Sequence, residues 1–517
     1  MKRSLMSRLG LCASRRYLLY VLAAIQYTVS VHAADAAVHR FRIRLSEAVA
    51  TQPFSGRVYI FFSEKMLREP RLDFKFIKAE PFIALDVENW KPGETVTLAS
   101  DKSEDILSFP VPLWEMNLAG FRAQAVVRLN PFAQEIGGGE GNGYSRAVAL
   151  PSEDSRGALL NLVVDQVVPK YRFTETKWCK LLQVRSKLLS DFHGRDVTVN
   201  AAVVLPASYY EQPDRRYPTI FDIPGFFGSH HRGMTDHPNE DQDEQGVEFL
   251  RVMLDGTCPM GHHMFADSTN NGRYGSAFIQ EFLPAFDNEF RSLSQPSARF
   301  LTGFSTGAWS SLWLQINYPG HFAGAWADAP DPVDFRDFQR INIYAPNQNM
   351  YHDSLGAPRP LAHTEDRVLL YFKELAQLEL VQGHGGQLQS FEAVFSPRGN
   401  DGKPLPLWNR ETGAIDSDVA KTWEKYDLRL ILERNWKTLA PKLQGKLHIH
   451  TNESESYYLE GAVKLLKDTL EELGSDAEIV IHPGHDHGAM SAPEEQRKIL
   501  REMVAVFLRN HPDKAAR

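Results

Sequence analysis

Gly303-Phe304-Ser305-Thr306-Gly307 is the string in this 517-residue sequence with the clearest chemical content. It follows an apolar run over 298–303 and opens a helical pattern that stops before Pro319. A serine at a strand-to-helix turn needs small neighbours on both sides, because the tight backbone leaves no room there for Cβ atoms. Its Oγ then projects at the carboxyl end of a sheet, with a helix N-terminus beneath it that favours developing negative charge. Roughly one chain in seven of this composition would carry such a string by chance, so the strand–turn–helix setting gives it most of its weight. The bland alternative is an ordinary helix start with a serine N-cap.

A serine hydroxyl is a weak nucleophile at neutral pH; it needs a base, and the base needs an orienting acid. Two downstream loops follow apolar strands and offer both. The strand 446–451 runs into Asn452-Glu453-Ser454-Glu455, and the strand 478–482 runs into Pro483-Gly484-His485-Asp486-His487-Gly488. His487 is the expected base, with His485 as the alternative, and Glu455 is the expected acceptor of its Nδ1–H. Asp486 reads as turn chemistry or a supporting acceptor. The strand 219–223 leads into Pro224-Gly225-Phe226-Phe227-Gly228, a turn whose N–H at Phe226 or Phe227 would join that of Thr306 around a substrate oxyanion.

Paired histidines offer a competing chemistry: His230-His231, His262-His263, His448-x-His450 and the group His482, His485, His487. Residues i and i+2 of a strand face the same way, so His448 and His450 could share a metal and make this a metal-dependent hydrolase. No Cys or His spacing matches a strong zinc signature, so no metal is assigned.

The elements that must position these groups fall into two patterns. Over 38–165 the period is mostly two, in the runs 41–45, 57–62, 94–98 and 121–129, and this predicts a small β-sandwich-like domain. A stretch around 178–193 is transitional. From 190 to 517 short apolar β-rich runs (197–205, 219–223, 251–254, 298–303, 322–327, 446–451, 478–482) alternate with amphipathic helices, the signature of a doubly wound, mostly parallel α/β sheet. Helices are expected over 274–293, where Phe278, Phe282, Phe286 and Phe290 form a core stripe; over 459–473; and after Ser491, with Glu494 completing a capping box. Between about 328 and 443 the alternation breaks down into a lid-like insertion, whose tryptophans could include a stacking platform for sugar or aromatic groups.

With these motifs in place, the region from about 197 to 508 resembles the putative-esterase branch of the α/β-hydrolases, which includes feruloyl and acetylxylan esterases, enterochelin esterases and S-formylglutathione hydrolases. The resemblance rests on Tyr217-Pro-Thr-Ile-Phe-Asp-Ile-Pro-Gly-Phe-Phe-Gly228, on Phe265-Ala-Asp-Ser-Thr-Asn-Asn-Gly272 leading into Glu281-Phe-Leu-Pro284, on Gly303 to Gly307, on Tyr458-Leu-Glu-Gly-Ala462 and on Pro483-Gly-His-Asp-His487. It implies an α/β-hydrolase fold and a cofactor-free serine esterase with Ser305 as nucleophile; only His487 matches the family's spacing for the base. It also implies that Asp267 and Asn271 line the pocket, and that the substrate is a small-molecule or glycan-linked ester. One departure matters: relatives usually carry Gly-x-x-Asp where this sequence has Asn452 and Glu455, which keeps Glu453 open as an alternative acid. The same departure motivates a non-catalytic binding protein on an esterase fold as a further alternative.

The bulk numbers fit this reading. At 43% apolar and 24% charged the chain is globular in composition, which excludes disordered, collagen-like and multi-span membrane classes. Residues 1–33 read as a secretory signal peptide: five basic residues to Arg16, an apolar run over 17–25 too short to span a bilayer, and small residues before Ala34. Export to a secreted or periplasmic location is therefore expected, without stable membrane insertion after cleavage. Loss of the leader takes the formal charge from −8 to −13, which argues against nucleic acid as a partner. Cys179 and Cys258 then remain, and one disulfide between them is compatible with export.

Overall fold

The computed structural model describes residues 39–99, 105–151, 159–240, 246–365, 367–484, 486–488 and 492–514. The expected leader, His485 and Ser491 lie outside them. Nine strands of the N-terminal third form one continuous sheet: β1 (Arg40–Leu45), β2 (Phe54–Ser63), β3 (Phe82–Trp90), β4 (Thr95–Ala99), β5 (Leu107–Phe109), β6 (Arg122–Val127), β7 (Gly143–Ser145), β8 (Val148–Ala149) and β9 (Leu159–Val167). Their order is β4-β1-β9-β7-β6-β2-β3-β5, with β8 on β6; β1 and β9 pair in parallel and the other pairs are antiparallel. Phe41, Ile43, Val58, Ile60, Ala125, Leu162 and Val164, drawn from both halves of this sheet, share one core, so the sheet wraps around a single apolar face. The alternation in β1 and β9 is the sequence trace of that one-sided burial.

The central strand β2 departs from it. Its run Val58-Tyr-Ile-Phe-Phe62 is buried on both faces: Val58, Ile60 and Phe62 point into the sheet's own core, whereas Tyr59 and Phe61 enter the main core of the molecule. Residues 38–517 consequently form one compact unit.

The second sheet has eight strands: β10 (Cys179–Arg185), β11 (Thr198–Val204), β12 (Thr219–Ile223), β13 (Leu250–Leu254), β14 (Arg299–Phe304), β15 (Gly324–Asp328), β16 (Leu447–Asn452) and β17 (Glu478–His482). They run in the order β10-β11-β13-β12-β14-β15-β16-β17, and all neighbours are parallel except for the reversed strand β11. This is the strand order of the α/β-hydrolase fold. The seven runs expected from sequence all form strands, with ends shifted by a residue or two; β10 came from the stretch read as transitional.

Three local expectations need correction. The helix expected over 274–293 ends at Glu289 and contains a π-turn at Phe278–Phe282, because Pro284 has no N–H to donate and the ladder widens ahead of it. The last helix, Pro493–Asn510, starts without the capping box: Ala492 is its N-cap and no side chain caps it. The segment between β15 and β16 is the one expected to be a lid-like insertion. Phe335, Phe338, Phe391, Phe395 and Trp423 pack ring to ring in the main core, and the segment ends in an ordinary crossover helix, Leu428–Leu443. Trp408 and Trp423 are buried, which removes them as an exposed stacking platform. The phenylalanine stripe is core as expected: Phe278 stacks on Phe282 and Phe286 on Phe290, each pair at 5.4 Å. Among the described residues, no helix is long and apolar enough to cross a membrane.

Candidate active site

Ser305 sits between β14 and the helix Thr306–Asn317 at φ 57° and ψ −122°, a backbone conformation that L-residues adopt only when their surroundings hold them there. The restraint is visible. Ser305 N donates to Asp328 O at the end of β15 (2.9 Å), and Ser305 O accepts from Ala308 N (2.9 Å), Trp309 N (3.1 Å) and Asp331 N (3.3 Å). The flanking glycines are steric requirements. A Cβ on Gly303 would lie 2.3 Å from the Gly307 carbonyl, and one on Gly307 would lie 2.1 Å from Ile223 O and 2.6 Å from Pro224 O.

Two loops at the carboxyl ends of β16 and β17 bring the acid and base together. His487 Nδ1–H donates to Glu455 Oε1. The Glu455 side chain is fully buried, and its Oε2 accepts from Tyr457 N (2.7 Å) and Leu459 N (3.0 Å), so the turn into the helix Glu460–Glu472 fixes the carboxylate in orientation. Glu453 is exposed beside it, with its N–H on His482 O (2.9 Å). Asn452 donates from Nδ2 to Asp486 O (3.0 Å) and ties the His487 loop to β16. Asp486 Oδ1 accepts from Gly488 N (3.1 Å), the turn role expected of it. The His487 ring lies between Phe304 (4.5 Å) and Tyr457 (4.8 Å).

Ser305, His487, Phe226 and Phe227 line one cavity of about 300 Å³. Among the described residues, the Ser305 hydroxyl makes its hydrogen bond to Asp331 Oδ1 (3.4 Å) and not to His487. The other Asp331 oxygen accepts from Thr306 Oγ1 (2.6 Å). Burial pushes the Asp331 carboxyl up to about 6 and that of Asp328 up to about 7, with the nearby His487 opposing both shifts. Sequence reasoning missed these two acids; the available signal was their position just past the end of an apolar run neighbouring β14.

The loop Pro224–Gly228 closes a turn through Gly228 N to Gly225 O (2.9 Å), with Phe227 at φ 66°. His262 pins it. Its Nδ1 accepts from Met264 N (3.0 Å), which leaves Nε2–H to donate to Pro224 O (3.1 Å), and burial pushes its pKa down to about 4, keeping the ring neutral. The Thr306 N–H belongs to a first helical turn, whose donors have no intrahelical acceptor. The Pro224–Gly228 loop and Ser305 both line the cavity, whereas Thr306 is fully buried and is not among its lining residues.

The remaining histidines serve elsewhere. His448 lies flat on Trp326 (4.2 Å, 3°) and donates from Nδ1 to Glu478 Oε2 (2.8 Å), whereas His450 pairs with His482 (3.2 Å), so His448 and His450 do not converge on one ion as expected. His448, Glu478 and Glu502 do bring ligand atoms within 4.8 Å of one another, but at the amino ends of β16 and β17, away from the loops that carry Glu455 and His487. His263 donates to Asp255 O (3.0 Å) and His230 to Asp255 Oδ2 (2.9 Å).

Asp267 and Asn271 are not among the residues lining the cavity. Asp267 accepts from Ser276 N (2.8 Å) at the start of the phenylalanine helix, and the Asn271 carbonyl accepts from His193 Nε2 (3.0 Å); both hold the turn that precedes that helix. Cys179 and Cys258 are free and buried, so they do not pair.

Residues 192–430 match the family described as "Putative esterase". No curated protein compared with the chain matches it. Solved structures similar to it include a ferulic acid esterase (11% identity, TM-score 0.38, 64% of this chain and 99% of that one). An S-formylglutathione hydrolase from Agrobacterium tumefaciens is also similar (15%, 0.38, 65% and 98%), as is a ferulic acid esterase from Anaeromyces mucronatus in complex with ferulic acid (16%, 0.31, 63% and 91%). At those scores no chemistry transfers from them to this chain. The family match includes Ser305 and the Pro224–Gly228 loop and stops before Glu455 and His487; of these two, His487 lines the same cavity and Glu455 is buried behind it on the His487 ring. Residues 192–430, a little under half of the chain, are thus similar to the Putative esterase family.

Proposed function

We propose that the protein is a serine carboxylic-ester hydrolase working through a Ser305–His487–Glu455 triad. The observation that carries this reading is the pairing of a buried, doubly anchored carboxylate with a histidine that shares a cavity with a serine on a strained elbow. On substrate binding the Ser305 hydroxyl exchanges its long bond to Asp331 for His487 Nε2; catalytic bonds are often loose in the free enzyme and tighten in the complex.

His487 takes the proton as Ser305 Oγ bonds to the ester carbonyl carbon, and Glu455 holds the imidazole in the tautomer with hydrogen on Nδ1 while stabilising the imidazolium. The carbonyl oxygen becomes an oxyanion held by the N–H of Thr306 together with that of Phe226 or Phe227. Collapse expels the alcohol, which receives the proton from His487. Water then attacks the acyl-enzyme by the same route and releases the acid.

The finer expectations from sequence belong to this proposal: export behind a cleaved 1–33 leader, a β-rich region over 38–165 and a hydrolase region over 190–517 within the one compact unit, and polysaccharide-linked esters as the setting. The decisive experiment is a chromogenic panel of acetyl, butyryl and feruloyl esters on the wild type and on Ser305→Ala. Turnover should fall on the order of 10⁶-fold, as for triad knockouts. An organophosphate should inactivate the wild type, and dialysis against a chelator should leave it active. Activity that survives Ser305→Ala, or is lost with the chelator, refutes the assignment.

A further inference from the structure

The cavity above Ser305 has a wall that the hydrolase sheet does not build. Phe76, from the segment between β2 and β3 of the first sheet, is one of its lining residues, as are Leu361, Leu375, Leu388 and Phe391, with Arg232, Gln339 and Gln387 among the polar ones. That segment is anchored. Phe74 packs edge-on to Phe61 (6.3 Å) and Phe82 (5.6 Å), and the buried Asp73 accepts from Ser63 Oγ (3.0 Å) and Lys65 Nζ (2.7 Å).

The same sheet also holds a second wall in place. Leu375 is carried by the helix Phe372–Gln382, whose last carbonyls have no partner within the helix. Arg57 donates from Nη1 to Leu380 O (2.7 Å) and Val381 O (3.1 Å), Tyr59 Oη donates to Gln382 O (2.6 Å), and just beyond the helix Arg128 Nη1 donates to His384 O (3.0 Å). Two guanidinium groups at a helix C-terminus also suit the sign of its dipole. The first sheet therefore supplies one apolar side chain to the cavity and fixes the element that carries another.

We propose that Phe76 is a specificity-determining residue, packing against the apolar substituent of the ester, so that the N-terminal sheet selects substrates carrying a hydrophobic group larger than methyl. This rests on the esterase reading above. Phe76 is partly buried against the main apolar core and shares the cavity lining with four other large apolar side chains, and an apolar wall discriminates by size and apolar area rather than by hydrogen bonding.

The test compares wild type, Phe76→Ala and Phe76→Leu on two ester series that share methyl acetate as the smallest member. One lengthens the acyl chain to octanoate, and the other enlarges the alcohol to benzyl. Phe76→Ala should lower kcat/KM for the largest ester of one series by about tenfold. Methyl acetate should stay within about twofold, and Phe76→Leu should recover most of the loss. An unchanged ratio of large to small esters in both series overturns the inference, as does an equal loss on methyl acetate, which would mark a merely structural role. If the wild type hydrolyses these esters only with Ser305 intact and Phe76→Ala leaves the ratio unchanged, this inference alone fails. If the wild type hydrolyses none of them, the esterase reading fails with it.

Discussion

Replacing Glu455 with glutamine tests the proposed chemistry with little change in shape. Its Oε2 accepts from two backbone N–H groups, those of Tyr457 and Leu459, and only an oxygen can occupy that position. The amide of Glu455→Gln must therefore keep its oxygen on the turn and present its NH₂ to His487 Nδ1, where the carboxylate now accepts. That converts Nδ1 into an acceptor, moves the ring proton to Nε2 and leaves no lone pair there to take the Ser305 proton. The analogous acid-to-amide change in a serine protease lowers kcat by about 10⁴, or about 5.5 kcal/mol of transition-state stabilisation, and a loss of that order is expected here. Because both backbone bonds survive, the melting temperature should move by only a few degrees. The assay is steady-state hydrolysis of p-nitrophenyl butyrate across the neutral pH range, with Glu453→Gln as the control, since that side chain is exposed and should be neutral. An activity for Glu455→Gln within tenfold of wild type would refute the triad assignment, as would an equal loss in Glu453→Gln.

Three further outcomes follow from the same geometry. Gly307→Ala would force a Cβ to within 2.1 Å of Ile223 O and 2.6 Å of Pro224 O, both backbone atoms, so it should cost about 3 kcal/mol or more in thermal unfolding. Gly320→Ala, with no neighbour within 4 Å, should melt like wild type, and equal melting of the two variants would contradict the steric argument. Asp328 titrates high because it is buried with one oxygen unpartnered, so in the folded state it favours protonation: its stability contribution is full below about pH 4 and is lost as pH rises through about 7. Asp328→Asn should accordingly stabilise the protein above pH 7, by about 2–4 kcal/mol at most, with the gain shrinking towards pH 4; a gain independent of pH would exclude the titration. Tyr59→Phe leaves the Gln382 carbonyl without its donor inside the core and should cost about 1–3 kcal/mol by denaturant unfolding, and an unchanged midpoint would mean that this contact holds nothing.

Much of the site was legible because its parts are local. The elbow needs two glycines and a serine within five residues, and the conformation they permit is the one observed. The seven hydrolase strands were readable because short apolar runs separated by amphipathic helices admit few other folds. Burial separates Glu455 from Glu453, a distinction that two glutamates two residues apart in a polar loop could not reveal. The motif Phe265 to Gly272 pointed to the pocket and instead builds a turn, since a family-like string carries its structural duties along with its chemical ones.

Other features depend on contacts between residues far apart in the chain. Asp331 reaches Ser305 only because β15 lies beside β14, and Asn452 reaches the His487 loop only because β17 lies beside β16. The role of Phe76 depends on a sheet whose central strand is buried on both faces, which turns an apparently separate domain into a wall of the cavity. The sequence by itself determined the Gly303–Gly307 turn, the Pro224–Gly228 loop and the class of fold, because backbone sterics and hydrophobic period act over a few residues. Only the tertiary structure decided which acid meets the histidine, which side chains enclose the cavity and where the first sheet packs, because those outcomes are set by strand order and burial, and neither is written in any local stretch of chain.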